Sequence, residues 1–358
     1  MKVMIIGQYP KSKDQVFTGP MRVIYNLTQS WEDKGIELSI PARKFKNYNK
    51  YLKKILFVFE AFHSDADIFS LHGFSPAILF SSIVGLLRRK KIQVTVHGLI
   101  FLERQMGEGH PFWKEIIERF ILKTADKIVT ISLSMKLSIS SHYNISPKKI
   151  DIIPHGVGNI FLNDEITKKL FSDKYDCRGV KVISFVGGTK KVKNLLFLLK
   201  ALKKVKTKNW KLYIIGPPKD QDRKLKSWVS ENNFSKKVYF TGPFNQKMLR
   251  SAYRRTDVFV LPSRYESFGL VALEAMASET STIVSDKVGM SFMIKHGQNG
   301  YVVEHGNISQ LSQLIDKLLG HSEIREEMAK RARMTAKKYS WANIADIYIS
   351  LFHNLIKN

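Results

Sequence analysis

Cysteine is nearly absent from this sequence of 358 residues. The single cysteine, Cys177, excludes an intramolecular disulfide framework and any zinc site built from clustered cysteines. Long apolar runs are also missing. The longest, at 76–87, is shorter than the roughly 20 residues that cross a bilayer, and it ends at four consecutive cations, so we predict a buried helix with a basic end. The apolar run at the N-terminus is too short for a signal peptide, and we expect a cytoplasmic protein.

Acidic residues are scarce relative to basic ones. Lysine and arginine together number 58 against 31 aspartate and glutamate residues, which gives a net charge of +27. This balance favours an anionic partner, which leaves open a nucleic acid, a phosphorylated ligand and an acidic membrane surface. Because 44% of the residues are hydrophobic, the chain can bury a large core, and its length predicts two domains.

Short β-branched runs that end in glycine, serine or aspartate alternate with amphipathic segments of helix length. Continuously apolar strands separated by helices are typical of parallel sheets covered on both faces, so we predict an α/β fold. An irregular charged stretch at 163–179 indicates two doubly wound domains, 1–165 and 166–340. The apolar residues of 341–358 recur at helical spacing, which predicts a C-terminal helix that packs back on the first domain. We expect the active site in a cleft, where the carboxyl ends of the two sheets face each other. The predicted strands are 2–7, 91–98, 127–132, 149–156, 181–188, 211–216, 237–242, 257–263 and 281–286.

The segment PSRYESFGLVALEAMA at 262–277 carries the densest pattern. A strand ends there, a polar loop contains Glu266, and a helix that we expect to begin near residue 267 or 268 contains Glu274. The backbone N–H groups of residues 268–270 at such a helix start suit a phosphate, and a carboxylate accepts hydrogen bonds from sugar hydroxyls. Spacing alone leaves open that Glu266 is a helix cap and Glu274 a solvated helix residue.

The same residues resemble the E-x7-E motif of the family-4 retaining glycosyltransferases. Further segments similar to the family occur in its order: FVGGTKKVKNLLFLLKAL, IIGPP, FTGPFNQKMLRSAYRRTDV and IKHGQNGYVV in the second half and, more loosely, TVHG, VTIS and IIPHGV in the first. The resemblance covers nearly the whole chain. It implies the GT-B architecture, in which two Rossmann-like domains face across a cleft, the second holding mainly the nucleotide sugar and the first mainly the acceptor.

The resemblance also implies roles for single residues. Glu274 would hydrogen-bond the ribose, Glu266 would contact the donor sugar, Lys193 would neutralise the departing diphosphate, and His97 would stabilise the reacting centre. A purely structural lysine or histidine stays open for the last two. The implied catalytic residues are thus His97, Lys193 and Glu266, and the implied donor-binding residues are Gly19, Gly188, Lys190, Lys193, Phe268, Gly269, Leu270 and Glu274.

Three positions depart from the family pattern. Gly188 stands where many members carry an arginine, and either Lys190 or Lys191 is expected to supply that charge, without the bidentate fork of a guanidinium. Pro20 follows Gly19 where the family usually has a second glycine, so one backbone N–H is lost. His155 replaces an asparagine that is more usual.

Two Asp-x-Asp triplets raise the question of a metal. Asp65 and Asp67 precede a strand and so lie at the wrong end of it for the site, whereas Asp220 and Asp222 look like helix capping. We therefore expect no metal and no cofactor beyond the nucleotide-sugar co-substrate. The resemblance implies transfer of a hexose-type sugar to an acceptor hydroxyl with retention of configuration, and UDP-sugars are the commoner donors in the family.

The segment 39–59 is basic and amphipathic. Its cations have no acid among them, and its apolar residues recur at helical spacing, which suits docking on an anionic membrane that carries a lipid-linked acceptor. A solvated face of a core-packing helix is the equally weighted alternative. The cations are Arg43, Lys44, Lys46, Lys50, Lys53 and Lys54, and the apolar residues are Phe45, Tyr48, Leu52, Ile55, Leu56 and Phe59.

Other function classes fit less well. A nucleic-acid-binding protein is compatible with the charge, but the sequence shows no RNP-type aromatic pair, zinc spacing or helix-turn-helix signature, so we expect no nucleic-acid partner. Another GT-B enzyme, such as a nucleotide-sugar epimerase or hydrolase, is a closer alternative. Cell-surface polysaccharide or glycolipid biosynthesis, lipopolysaccharide included, at the inner face of the cell membrane is the expected setting.

Overall fold

A computed structural model of the chain describes residues 1–10, 19–107, 109–165, 167–219 and 221–357; the side chains at positions 50, 53 and 54 lie outside that description. The described chain forms two compact units. The first contains residues 1–156 together with 341–358, and the second contains residues 157–340. Each unit is built around its own parallel sheet.

The first unit contains a six-stranded parallel sheet in the order β2-β1-β3-β4-β5-β6. Its four inner strands are largely apolar and almost wholly buried, as expected for a sheet covered on both faces, whereas its two edge strands are partly exposed. The elements are β1 Lys2–Ile6, α1 Gly19–Glu32, β2 Glu37–Ser39, α2 Pro41–Lys44, α3 Lys50–His63, β3 Ile68–His72, α4 Pro76–Leu87, β4 Lys91–Val96, α5 Ile100–Gln105, α6 Phe112–Thr124, β5 Lys127–Thr130, α7 Leu133–Tyr143 and β6 Ile150–Ile152.

The second unit contains another six-stranded parallel sheet, in the order β12-β11-β10-β7-β8-β9. The chain winds outward from β7 in one direction and from β10 in the other, which is the doubly wound arrangement. The elements are α8 Asn159–Leu162, α9 Lys169–Lys174, β7 Lys181–Val186, α10 Leu195–Lys204, β8 Trp210–Ile215, α11 Asp222–Glu231, β9 Val238–Gly242, α12 Gln246–Arg255, β10 Val258–Leu261, α13 Leu270–Ala277, β11 Ser281–Ser285, β12 Tyr301–Val303, α14 Ile308–Gly320 and α15 Ser322–Lys337.

The last helix, α16 Trp341–Lys357, belongs to the first unit, where it packs on α1. The ring of Trp31 meets Tyr348 edge-on, with ring centroids 5.5 Å apart, and Phe352 at 5.3 Å. The chain passes from the first unit to the second after residue 156, earlier than the predicted boundary at 165. The stretch 163–179 is not a bare linker, because α9 lies within it and buries Phe171, whose N–H donates to Ser251 Oγ at 3.0 Å.

The α/β prediction is confirmed, with two doubly wound parallel sheets. All nine predicted strands are present, and three further strands join them. Two of these, β2 and β12, are edge strands of three residues, too short to show a pattern in the sequence. The third, β3, runs through the centre of the first sheet, and the sequence had shown only that its residues are strand-like.

The prediction of a buried helix at 76–87 is wrong in part. Helix α4 has the predicted bounds and buries Ile78 and Val84, but Phe80 and Leu87 are exposed. Among the described residues, no helix is both long and apolar enough to cross a membrane. The segment 39–59 forms α2 and the greater part of α3 rather than one helix, and the side chain of Asn49 caps α3 by accepting from the N–H groups of Tyr51 and Leu52.

Candidate functional site

The winding of the second sheet reverses between β7 and β10. In doubly wound folds, ligands bind outside the carboxyl ends of the strands at this point, because the connections on either side run to opposite faces and leave a crevice. The loop after β7 leads to a short 3-10 helix, Lys191–Lys193, and the loop after β10 leads to α13. Most of the predicted site residues of the second unit lie on these two loops.

Lys193 and Glu266 contact each other at this position. Lys193 Nζ donates a hydrogen bond to Glu266 Oε1, and both side chains are largely buried, 17% and 16% exposed. The aliphatic part of Lys193 lies against Gly187, where an added Cβ would stand 3.0 Å from its Cδ and Cε. The absence of a side chain at Gly187 therefore gives Lys193 the space to reach the carboxylate.

The loop that carries Glu266 is fixed by its neighbours. Ser263 Oγ donates to Glu266 Oε1 at 3.2 Å. The backbone N–H of Glu266 donates to the Lys287 carbonyl at 3.1 Å, and the Glu266 carbonyl accepts from the N–H of Gly289 at 2.9 Å. Backbone hydrogen bonds on both sides of the residue hold its carboxylate in place, so its position does not depend on Lys193 alone.

Helix α13 begins at Leu270, later than the predicted start at 267 or 268. Gly269 precedes it in the left-handed region, with φ +100°, which breaks the helical path. Glu274 lies about one turn inside the helix and is 2% exposed, so it is not the solvated residue of the alternative interpretation. The first backbone N–H groups of α13 have no acceptor within the helix and carry the positive end of its dipole.

Gly188 and Lys190 differ in their surroundings. The N–H of Gly188 donates to the Ile215 carbonyl at 3.2 Å, and an added Cβ would stand 2.2 Å from the Pro217 carbonyl oxygen. A close approach of two loops therefore requires glycine at 188. Lys190 precedes the 3-10 helix and is exposed, as is Lys191. Their contribution to phosphate binding stays a prediction.

Sequence reasoning missed two residues at this position. The N–H of Arg264 donates to the Val192 carbonyl at 2.8 Å, and its Nε donates to Asn194 Oδ1 at 3.5 Å. Asn194 Nδ2 in turn donates to the Pro262 carbonyl at 3.3 Å, so this pair joins the two loops. One feature of the sequence could have indicated Arg264: its guanidinium lies two residues before Glu266 in a chain that lacks the family's usual arginine at 188.

Three buried histidines form a hydrogen-bonded chain in the first unit. His72 ends β3, His97 directly follows β4, and His155 follows β6. His72 Nδ1 lies 3.0 Å from His97 Nε2, and His97 Nδ1 lies 3.2 Å from His155 Nε2. Because these parallel strands end at the same edge of the sheet, residues far apart in sequence come together there.

The polar neighbours of this histidine chain determine its tautomers. Ser70 Oγ donates to Gln93 Oε1 at 2.7 Å, so its lone pairs accept from His72 Nε2 at 3.2 Å. His72 therefore carries its proton on Nε2 and accepts at Nδ1 from His97 Nε2, which leaves His97 Nδ1 to accept from His155. Burial lowers the pKa of His97 to about 4, and it lowers the pKa values of the other two well below their ordinary range.

A buried carboxylate supports the segment after His97. Glu118 of α6 accepts from the N–H of Ile100 at 2.9 Å, from the N–H of Phe101 at 3.3 Å and from the hydroxyl of Tyr143 at 2.5 Å. It thereby caps the start of α5. Burial raises the pKa of Glu118 to about 7, against the opposing effect of its three donors. The sequence showed no sign of this role.

The remaining predicted residues lie elsewhere. Gly19 is exposed and begins α1, and the residue before it lies outside the described residues. Asp65 pairs with Lys2 at 2.7 Å, and Asp67 accepts from the backbone N–H of Lys2 at 2.9 Å, at the amino end of β1. The predicted capping role of Asp222 is wrong, because Gln221 is the cap residue of α11 and Asp222, the first residue of the helix, pairs with Lys226 at 2.8 Å; Asp220 lies outside the described residues. Metal independence stays a prediction.

Two family models match the sequence. The model described as "Glycosyl transferases group 1" matches residues 169–335, and the model described as "Glycosyltransferase Family 4" matches residues 33–158. The chain belongs to the group 1 glycosyltransferases of family 4. The resemblance inferred from the sequence motifs is thereby confirmed.

Curated relatives are glycosyltransferases as well. An uncharacterized glycosyltransferase of Methanocaldococcus jannaschii is 32% identical over 63% of this chain and 59% of its own length. The capsular polysaccharide biosynthesis glycosyltransferase CapM of Staphylococcus aureus is 25% identical over 91% of this chain and 87% of its own. The chain spans about three fifths of the length of several other relatives that it matches.

Solved structures share the fold. Sucrose-phosphate synthase from Thermosynechococcus elongatus has a TM-score of 0.81 at 19% identity and covers 99% of both chains. The Anabaena protein HepE, solved in complex with UDP and glucose, has a TM-score of 0.78 at 14% identity and covers 99% of this chain and 100% of its own. At these identities the likeness establishes the GT-B fold.

Proposed function

We propose that this protein is a retaining glycosyltransferase that moves a hexose-type sugar from a UDP-sugar to a hydroxyl of a glycan or lipid-linked acceptor. One observation carries the proposal: Lys193, Glu266 and the start of α13 converge where the winding of the second sheet reverses, and Glu274 is buried one turn further on. A cation, two carboxylates and a helix N-terminus provide complementary groups for a diphosphate, a sugar and a ribose.

The proposed donor contacts follow from this chemistry. The Lys193 ammonium, the N–H of Leu270 at the start of α13 and the N–H groups of Phe268 and Gly269 just before it would hold the diphosphate and the adjoining sugar oxygens. The Glu266 carboxylate would accept from a sugar hydroxyl, and Glu274 from the ribose hydroxyls. Gly188 would let the backbone approach the phosphate closely, and Lys190 would add charge beside it.

The proposed reaction is same-face substitution. The bond between the anomeric carbon and the diphosphate oxygen breaks, the acceptor oxygen bonds to that carbon from the same face, and the acceptor proton passes to the departing diphosphate. Lys193 would stabilise the negative charge that develops on the leaving oxygen, an effect worth about 3 kcal/mol for one fixed donor. Because both ring nitrogens of His97 bond other histidines, we propose that His97 contributes as a neutral polar group rather than as an acid or base.

The choice of donor and acceptor draws on the relatives. HepE is described in complex with UDP and glucose, and the name of CapM refers to capsular polysaccharide biosynthesis. We propose the same classes here, a uridine diphosphate donor and a cell-surface polysaccharide or glycolipid acceptor. We further propose that the basic segment 39–59 contacts an anionic membrane surface that presents this acceptor.

Donor binding can be tested by isothermal titration with UDP, GDP and several UDP-sugars. Glu274→Gln is expected to weaken UDP binding about tenfold or more, since hydrogen bonds from the ribose to a charged carboxylate are replaced by weaker ones to a neutral amide that has a single acceptor oxygen. Glu326→Gln is the matched control, because Glu326 is an exposed glutamate of α15. Equal UDP affinity for the wild type and Glu274→Gln would contradict the assignment of Glu274.

Transfer is tested separately, by product analysis with and without an acceptor. The proposal predicts that the product forms only when a hydroxyl acceptor is added and that it keeps the anomeric configuration of the donor. Isomerised donor or free sugar formed equally fast without acceptor would instead indicate an epimerase or a hydrolase.

A further inference from the structure

Three neighbouring helices of the first unit expose apolar side chains that helices of globular proteins normally bury. In α3, Ile55 is 66% exposed and Phe59 is 58% exposed; in α4, Leu87 is 73% exposed; and in α6, Trp113 and Ile116 are 47% and 55% exposed. In the described part of the second unit, the large exposed apolar side chains are Leu170, Phe292, Ile324 and Met334, distributed over three separate elements.

The exposed residues follow the helical repeat. Positions 51, 55, 59 and 62 form one stripe on α3, positions 80 and 87 lie on one side of α4, and positions 113, 116 and 120 form a stripe on α6. Helix α3 packs beside α4, and α4 packs beside α6. The stripes therefore lie side by side. We call the exposed sides of these helices the three-helix apolar face.

The orientation of α3 differs from that of a core-packing helix, the alternative to membrane docking for the segment 39–59. A core-packing helix turns its apolar residues toward the core, and Phe45, just before α3, is indeed buried. Within α3, however, Leu52, Ile55 and Phe59 face outward, and Leu56 is only half-buried. In soluble proteins, a contiguous exposed apolar surface of this kind marks a site of contact with a partner or a membrane.

The charges around the face determine which partner fits. Each glutamate of these helices is already paired or buried: Glu60 pairs with Lys44 at 2.7 Å, Glu115 pairs with Arg104 at 2.5 Å, and Glu118 is buried. Arg88, which directly follows α4, and Arg119 of α6 are exposed. The rim is thus cationic, like the whole chain with its net charge of +27.

The cationic rim disfavours a second copy of this chain as the partner and favours an anionic membrane. A second copy of this chain would bring the same positive charge to the contact, so electrostatic repulsion opposes self-association. An anionic lipid surface offers negative headgroups to the rim and an apolar boundary to the aromatic and aliphatic side chains. Tryptophan and tyrosine are enriched at this boundary, and amphipathic helices that lie in it present tryptophan, phenylalanine and leucine to the acyl chains.

We propose that the three-helix apolar face inserts into the boundary between headgroups and acyl chains of an anionic bilayer. The inference rests on the membrane contact proposed above and deepens it, because it assigns the contact to apolar side chains of α3, α4 and α6 instead of to the lysines of 39–59 alone. Binding would combine attraction at the rim with burial of the exposed stripes.

Flotation of the full-length protein with vesicles of phosphatidylcholine and phosphatidylglycerol tests the proposal. The pair Ile55→Ser and Phe59→Ser, or the pair Trp113→Ser and Ile116→Ser, is expected to reduce the vesicle-bound fraction at least about tenfold, since each side chain loses its burial. Phe292→Ser is the matched control, an exposed phenylalanine of the second unit, and is expected to bind like the wild type. Tryptophan emission should shift to the blue on binding and lose that shift in Trp113→Phe.

The contrary outcomes are distinct. Binding that high salt abolishes and the serine variants leave unchanged would overturn the proposal in favour of purely electrostatic docking. A dimer in sedimentation that the serine variants dissociate, without vesicle binding, would assign the face to a second copy. Transfer to a water-soluble acceptor should persist in the serine variants; a protein that binds vesicles through this face but transfers no sugar would refute the proposed reaction and leave the lipid contact standing.

Discussion

The ammonium of Lys193 donates directly to the carboxylate of Glu266, across 73 positions of sequence. One of these residues was expected to meet the diphosphate and the other the sugar. The hydrogen bond between them makes the two residues energetically coupled. It leaves the ammonium two further N–H donors and the carboxylate its second oxygen for the proposed donor contacts.

Substitution of this pair should give strongly non-additive kinetics. Lys193→Ala is expected to lower kcat about 10²- to 10³-fold, because the leaving group loses its fixed cation. The double variant with Glu266→Ala should be little slower than the slower single variant, as measured by steady-state transfer. Lys226→Ala, which breaks the exposed ion pair with Asp222, is the control and should leave kcat unchanged. Additive losses for Lys193 and Glu266 would argue against a shared site.

The histidine chain predicts a loss of stability in acid. Because burial depresses the pKa values of His72, His97 and His155 below the unfolded value of 6.5, the unfolded state binds protons first as pH falls. Their contribution is complete above pH 6.5 and is lost progressively toward pH 4; for His97 alone the loss is up to about 3 kcal/mol. Urea unfolding between pH 4 and 8 measures it. His155→Asn should reduce the change in the free energy of unfolding between pH 4 and 8, and an unchanged pH dependence would contradict the buried histidine chain.

Glu118 predicts the opposite dependence of the free energy of unfolding on pH. Its pKa is raised from 4.5 to about 7 in the folded protein, so the native state holds a proton that the unfolded state releases. Its contribution to stability is therefore present below pH 4.5 and declines as pH rises to 7. Glu118→Gln should remove this decline in the same unfolding series, while Glu326→Gln should retain it. A decline that persists in Glu118→Gln would assign it to another group.

Gly188 predicts a stability effect independent of the ligand. An alanine there would adopt φ +68° with its Cβ 2.2 Å from the Pro217 carbonyl oxygen, so Gly188→Ala is expected to lower the free energy of unfolding by about 2 kcal/mol or more. Gly320→Ala is the control, because nothing lies within 4 Å of its added Cβ, and it should change stability by less than about 1 kcal/mol. Equal effects at both positions would contradict the close approach of the two loops.

The sequence by itself determined the fold class and the position of the motif. Continuous apolar runs separated by helices predicted parallel sheets, and the segment 262–277 predicted a strand, a loop and a helix with carboxylates at Glu266 and Glu274. These features are local, since they depend on residues that follow one another along the chain. The start of α13 was misplaced because the conformation of one glycine, Gly269, decides it.

Tertiary structure decided which distant residues meet. The order of the strands brings Lys193 to Glu266 and joins His72, His97 and His155, and no pattern along the chain encodes that order. It also decided which side of α3 faces outward, because the helical repeat is the same whichever side packs on the neighbouring helices. Contacts between strands and between helices follow from the winding of the whole sheet, whereas periodicity reports only one element at a time.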